Sequence, residues 1–509
     1  MDDFLEDFDS GKIQFRDKWQ FELKSDLFPL SYHRNNIINQ EFYFFLPNSL
    51  QINEDTYSNA QFYQDQTNLI RLKTPHFNFK ELIDLDNAES PLVRIKMLSD
   101  YQHTSVIEAA ILDEIKLLGN IFHSGIRDRI AEYMLALDRL STTESVDQFN
   151  YDLNLFCDQI ERFYDLFVTV SKKCLSLWSS SEIEWTFAYV EEYISLNIND
   201  YFMRFLYKLR HKHILELQDL DRRICQIIIK QKNGPRQKFQ ENGAVVQEPQ
   251  HDEYVLYRKG LLNKFMIDPL LLKVSRTSFS KRYRNVIGAI PAGVAMLVYL
   301  LIMVTWQGQG NFILINSQPL ILLTVIIYIL KDRIKDELKN ISHQKAAKWF
   351  SDYTTEIISH DNDSVLGILK ESVSFIDEDK IPKEIIDIRN RQFHSVLELI
   401  KRPEKIIYYK KVVNIQKKPK TMESRFYGLN IIFRLDIHHF LVKAEDPVHT
   451  YLTLDPATLK LRKTELPRVY HINIILKSTT VLPDGKDKVV WDKYRLVVDK
   501  LGIKRIEEV

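Results

Sequence analysis

The chain is 509 residues long, 45% hydrophobic and 12% aromatic, which is apolar surface enough for roughly two or three folded units and excludes disorder as the default. Lys plus Arg and Asp plus Glu each number 69, so no net field draws the whole protein to nucleic acid or to an anionic surface. The three cysteines, Cys157, Cys174 and Cys225, lack metal-ligand spacing and argue against a disulfide framework.

Residues 1–89 read as an α+β region, with an extended run over 41–46 and a helix over 60–72. The first ten residues, MDDFLEDFDS, are acidic where an export signal is basic and carry no apolar core, so no cleaved signal is expected. Residues 90–232 form a helical bundle. Ser90 and Pro91 supply an N-cap and first turn, helical spacing continues to residue 118, and further helices cover 124–140, 145–177, 181–213 and 215–231. Residues 233–252 gather Gly, Pro, Gln and Asn and read as a linker, and 253–284 as a juxtamembrane helix that lies along a bilayer or packs on the bundle.

From 285 to 330 there is no Asp, Glu, Lys or Arg, although charged residues make up 27% of the chain. Two apolar runs inside it, 286–306 and 312–330, are each long enough to cross a hydrocarbon core of ~30 Å. The expectation is a transmembrane hairpin. Lys281, Arg282 and Arg284 before it, and Lys331, Arg333 and Lys335 after it, place both termini in the cytoplasm, with a bacterial inner or plasma membrane as the site. Gly288, Ala292 and Gly293 form a small-residue face suited to membrane packing, and Asn316, Ser317 and Gln318 interrupt the second span with a polar patch.

Residues 331–402 read as a cytosolic helical segment with helices over 331–350, 364–375 and 382–400. From 403 to 509 the period switches toward two, with strands over 406–415, 426–437, 450–454, 468–477 and 489–498 and a hairpin turn at Pro483, Asp484 and Gly485. The fold class expected is therefore an α+β membrane protein: a helical cytosolic bundle, a two-helix transmembrane hairpin and a small antiparallel β domain at the carboxy terminus.

Few residues carry chemistry. Arg389, Asn390 and His394 lie in the run RNRQFH on an expected helix. That run resembles the motif of HEPN-domain ribonucleases, and the resemblance implies a cation stabilising charge on an RNA phosphate while the imidazole moves a proton. The same arginine-to-histidine spacing recurs at Arg434 and His439. His211 with His213, and His438 with His439, lack further ligands at metal spacing, and Asp84 with Asp86 and Asp361 with Asp363 read as turns, so no metal site is expected. No cofactor fingerprint is present either. Lys410 with Lys411, and Lys417, Lys418 and Lys420 around Pro419, border the β region and read as solvated loops, with contact to phosphates or an anionic inner leaflet as the alternative. The function expected is a two-span anchored interaction or scaffold component, with a lipid bilayer and a protein partner or second copy as its contacts and nucleic acid not among them. An oligomeric channel subunit and a membrane-tethered HEPN-like ribonuclease are the alternatives, and enzyme activity is the less expected outcome.

Overall fold

The structure, a computed structural model, describes residues 12–27, 36–140, 143–212, 217–241, 252–278, 351–359, 364–391, 404–416, 428–481 and 487–509, with positions 293, 294, 296, 297, 301, 325, 329 and 333. The amino-terminal part gives β1 (Ile13–Phe15), β2 (Gln20–Leu27), β3 (Asn36–Pro47), α1 (Asn59–Asp65) and β4 (Gln66–Leu72). Helices follow: α2 (Phe79–Ile83), α3 (Pro91–Ser99), α4 (Ser105–Arg139), α5 (Thr143–Leu177), α6 (Ser181–His211), α7 (Gln218–Glu241) and α8 (Asp252–Ile267). Next come β5 (Lys273–Ser278), β6 (Tyr353–Ile358), β7 (Val365–Ile376), α9 (Lys383–Asn390), β8 (Glu404–Ile415), β9 (Leu429–Asp436) and α10 (His438–Leu441). The chain finishes with β10 (Val448–Leu454), β11 (Leu461–Pro467), β12 (Tyr470–Val481), β13 (Asp487–Asp499) and β14 (Gly502–Glu508).

Eight of these strands form one antiparallel sheet in the order β14-β13-β12-β3-β8-β7-β6-β5, and four form a second in the order β1-β2-β9-β4. β3 holds the large sheet together. Its second half, Phe42 to Leu46, is an unbroken apolar and aromatic run because both faces are covered there. Phe42, Phe44 and Leu46 point into the core shared with the small sheet, where they meet Phe62, Tyr409 and Phe433, while Tyr43 and Phe45 pack with Ile385 of α9 on the other face. β3 pairs with β8 on one side and with β12 on the other, so the amino-terminal strand joins strands drawn from the last hundred or so residues. Here the structure differs from a separate carboxy-terminal β domain. Alternation identifies a strand but not its partner.

Two local expectations also change. Residues 60–72 are not one helix: Ser58 caps α1 through the Gln61 N–H at 3.2 Å, and the chain turns extended at Gln66 to pair with β9. Residues 364–375 form β7 rather than a helix, since Leu369, Glu371 and Val373 alternate toward the interior, and the buried Glu371 hides that alternation in the sequence. In the bundle, the expected run from 90 to 118 breaks between α3 and α4. The Trp178 indole donates to the Ser99 carbonyl at 3.1 Å and stacks on His103 at 4.1 Å, which fixes the break, and Thr104 caps α4. α8 packs on the bundle through buried Leu262 and Met266, with Arg258 on Glu192 and Lys259 on Asp200, both at 2.7 Å.

The membrane expectation needs correction. Among the described residues no helix is long and apolar enough to cross a membrane. The long helices α4, α5 and α6 carry charged faces throughout, as amphipathic bundle helices do. The spans expected over 286–306 and 312–330 fall outside the described residues apart from isolated positions, Gly293 among them, and Gly288, Ala292, Asn316, Ser317 and Gln318 fall outside as well. What stands is an α+β fold built on a large antiparallel sheet. The membrane class and location, the two-span function and the channel reading have no spanning helix among the described residues to rest on.

The carboxy terminus is tied back to the beginning of the chain at Gly502, whose φ of +133° suits glycine, while the Ile503 N–H donates to the Lys18 carbonyl at 2.7 Å. A Cβ at residue 502 would collide with that carbonyl oxygen. Gly502→Ala is expected to lower the unfolding free energy by about 1–3 kcal/mol, read as a lower denaturant midpoint; an unchanged midpoint would show that this junction does not constrain the fold.

Candidate functional site

Strand alternation turns Ile407, Tyr409, Lys411, Val413 and Ile415 of β8 toward the space between the two sheets. Lys411 lies in register with Gln40 of β3 on one side and Glu371 of β7 on the other, giving a polar row across three strands. The small sheet supplies Gln66 and Asn68 from β4 and Ser25 from β2. Glu371 is 2% exposed, and its Oε1 accepts from Asn68 Nδ2 and the Tyr409 hydroxyl, both at 2.7 Å, and from Gln66 Nε2 at 3.2 Å. The Arg276 guanidinium stands 3.5 Å from its Oε2. The Gln40 amide donates to Ser25 at 2.9 Å and so links the sheets. Apolar clusters close the row on both sides, one with Phe42, Phe433 and Leu435 and the other with Ile70, Leu369 and Ile431.

Lys411 is the extreme member. It has no exposed surface, its Nζ has no hydrogen-bond partner among the described residues, and it sits 5.4 Å from the Phe42 ring and 5.7 Å from the Phe433 ring. Burial pushes its pKa down to about 7, against the opposing pull of Glu371. An amine poised there is a base or nucleophile by chemistry. Geometry decides otherwise, because a fully enclosed side chain meets no substrate. Its aromatic neighbours and the orphaned amide oxygens of Gln40, Gln66 and Asn68 describe a closed polar stratum.

At the margin of this stratum the Arg276 guanidinium lies over Tyr353 at 4.0 Å and Tyr63 at 5.0 Å. Asp352 accepts from the Tyr63 hydroxyl at 2.8 Å and the Val373 N–H at 2.9 Å, and burial holds its carboxyl above the usual range. Sequence reading placed Lys411 on the surface and overlooked Glu371. The only available signal was a charged residue at an inward position of each strand.

Of the residues singled out from the sequence, Arg389, Arg434 and His439 each have a partner of their own in the fold. Arg389 is buried at the end of α9, paired with Glu404 at 2.5 Å and lying over Phe45 at 5.7 Å, so its charge is already engaged. Asn390 ends the same eight-residue helix, and His394 lies outside the described residues. Arg434 pairs with Glu22 at 2.7 Å, and His439 bonds Asp65 at 3.1 Å. Among the described residues no group of three or more His, Cys, Asp or Glu side chains is arranged to hold a metal ion.

One surface stands apart from the body. β10 and β11 pair only with each other, as an arm whose residues are exposed on both faces, with Leu452 at 61% and Leu461 at 73%. No protein-family model matches the chain, and no curated protein or solved structure matches it.

Lys411 has a clear consequence for stability. With its folded pKa near 7 and the unfolded value near 10.5, the unfolded state binds the extra proton between those limits, so stability rises with pH from about 7 to 10. Lys411→Met is expected to raise the unfolding free energy by about 1–4 kcal/mol at pH 6 and to flatten that rise. A pH slope identical to wild type in chemical denaturation would contradict the burial of this charge.

Proposed function

We propose that the protein is an assembly component that pairs with a second copy of itself through the β10–β11 arm. The supporting observation is a projecting hairpin with one apolar face that is self-complementary in charge. Two strands alone are marginally stable in water, so an arm carrying Leu452, Leu454 and Leu461 on one face gains from cover. The rows on that face, from base to tip, are Val448 with Pro467, Thr450 with Glu465, Leu452 with Lys463, and Leu454 with Leu461.

A two-fold contact needs a surface that complements itself, residue by residue. Two arms stacked face to face and antiparallel, about an axis between the second and third rows, bring Lys463 of each copy to Glu465 of the other. Leu454 then meets Val448, Leu461 meets Pro467, and Leu452 meets the Thr450 methyl. Stacked in this way, each unlike charge finds its opposite and each tip leucine an apolar neighbour.

Sedimentation velocity from about 1 to 100 μM tests the reading. Wild type is expected to dimerise, Lys463→Glu and Glu465→Lys each to weaken the dimer by about tenfold, and the two together to restore it. Leu452→Asp with Leu461→Asp should leave a folded monomer. A wild type that is monomeric throughout, or a dimer indifferent to all four changes, would overturn the assignment.

A further inference from the structure

At one end of the small sheet, where α1 runs into β4 and α10 follows β9, an imidazole is held in a fixed orientation. Asp65 ends α1 with a side chain only 7% exposed, and three side chains converge on it. The Tyr57 hydroxyl donates to Oδ2 and the Gln61 amide to Oδ1, both at 2.8 Å, while His439 Nδ1 lies 3.1 Å from Oδ2. Burial, and after it the carboxylate itself, push the Tyr57 hydroxyl far above the usual phenol range, so it remains a donor.

This arrangement selects the tautomer of His439. With the proton on Nε2, the Nδ1 lone pair would face a lone pair of Asp65 Oδ2 and repel it. With the proton on Nδ1, the two atoms make a charge-assisted hydrogen bond. The Gln61 amide nitrogen, 3.4 Å from Nδ1, is already committed to Oδ1 at the shorter distance and does not compete. The Nε2 lone pair is thus left open on a side chain 46% exposed. His438, its neighbour on α10, is exposed as well, but its ring meets Trp19 edge-on at 4.8 Å and no carboxylate among the described residues.

We infer that His439 is a phosphoryl-accepting histidine that takes the group on Nε2 from a phosphorylated donor arriving from solution. The Nε2 lone pair forms the N–P bond while the bond from phosphorus to its leaving group breaks, and that electron pair departs with the leaving group. The ring then carries a positive charge, which Asp65 offsets through the Nδ1–H bond. Phosphoryl transfer asks for positioning and charge stabilisation more than for further covalent chemistry, and an oriented, open imidazole supplies both. Asp65 is a positioning residue here, because it acts through the ring and does not touch phosphorus.

The test uses the full chain and phosphoramidate, a small phosphoryl donor, with initial rates at each of the 14 histidines read by fragment-ion mass spectrometry. His439 is expected to be labelled at least about tenfold faster than His438 in wild type, and Asp65→Asn to bring the two rates within about twofold. Phosphorus NMR should place the group on Nε2, and His438→Gln should leave the His439 rate unchanged. The ratio of the two neighbouring histidines in wild type decides the matter even if Asp65→Asn does not fold. Equal rates at His438 and His439, a phosphoryl group on Nδ1, or an undiminished His439 rate in folded Asp65→Asn would overturn the assignment and leave His439 as a donor that closes the junction of α1 with α10.

Discussion

Everything in the β part of this protein depends on the pairing of β3 with both β8 and β12. Its twelve residues run Asn36 to Pro47 through the middle of an eight-stranded sheet. They bridge β8, which with β7 leads toward the β5 and β6 edge, and β12, which leads toward β13 and β14. Phe42 and Phe44 on one face, and Tyr43 and Phe45 on the other, must all be buried for this to hold, and each such burial is worth ~1.5–3 kcal/mol against exposure. The helices between β4 and β5 are thus enclosed in sequence by strands of one architecture.

The polar row of Gln40, Lys411 and Glu371 makes sense against that constraint. A sheet whose inner face is wholly apolar tolerates a slip of two residues with modest loss, because the same face stays inward. A row of three polar side chains fixes the register more tightly, since a slip breaks the bonds from Gln66, Asn68 and Tyr409 to Glu371 and leaves a buried carboxylate unmatched. The cost is visible in Lys411 Nζ and the amide oxygens without partners. Buried ionic groups commonly cost stability, and a register role is the best attested return for it.

Much of the secondary structure was legible because its causes are local. The 3.6-residue period of α5 and α6, and the alternation of β8, β12 and β13, are properties of the segment itself. Partners are not local. Nothing in EFYFFL says that its neighbours are Ile474 and Ile407, more than three hundred residues away. The β7 strand is ambiguous for a different reason: Leu366, Leu369 and Val373 fit a helical period as well as Leu369, Val373 and Phe375 fit a strand, and Glu371 at an inward position breaks the apolar alternation. The ion pair of Arg389 with Glu404 was not legible either, because it depends on α9 folding back over β8 and β3.

The most direct test of the shared sheet is native-state amide hydrogen exchange followed against denaturant. If β3 is the common strand, the amides of Phe42 to Phe45, Ile407 to Tyr409 and Ile474 to Leu476 open together, with one free energy and one denaturant dependence. Exchange of the β12 to β14 amides as a separate unit, with β3 opening earlier and at lower free energy, would contradict the account.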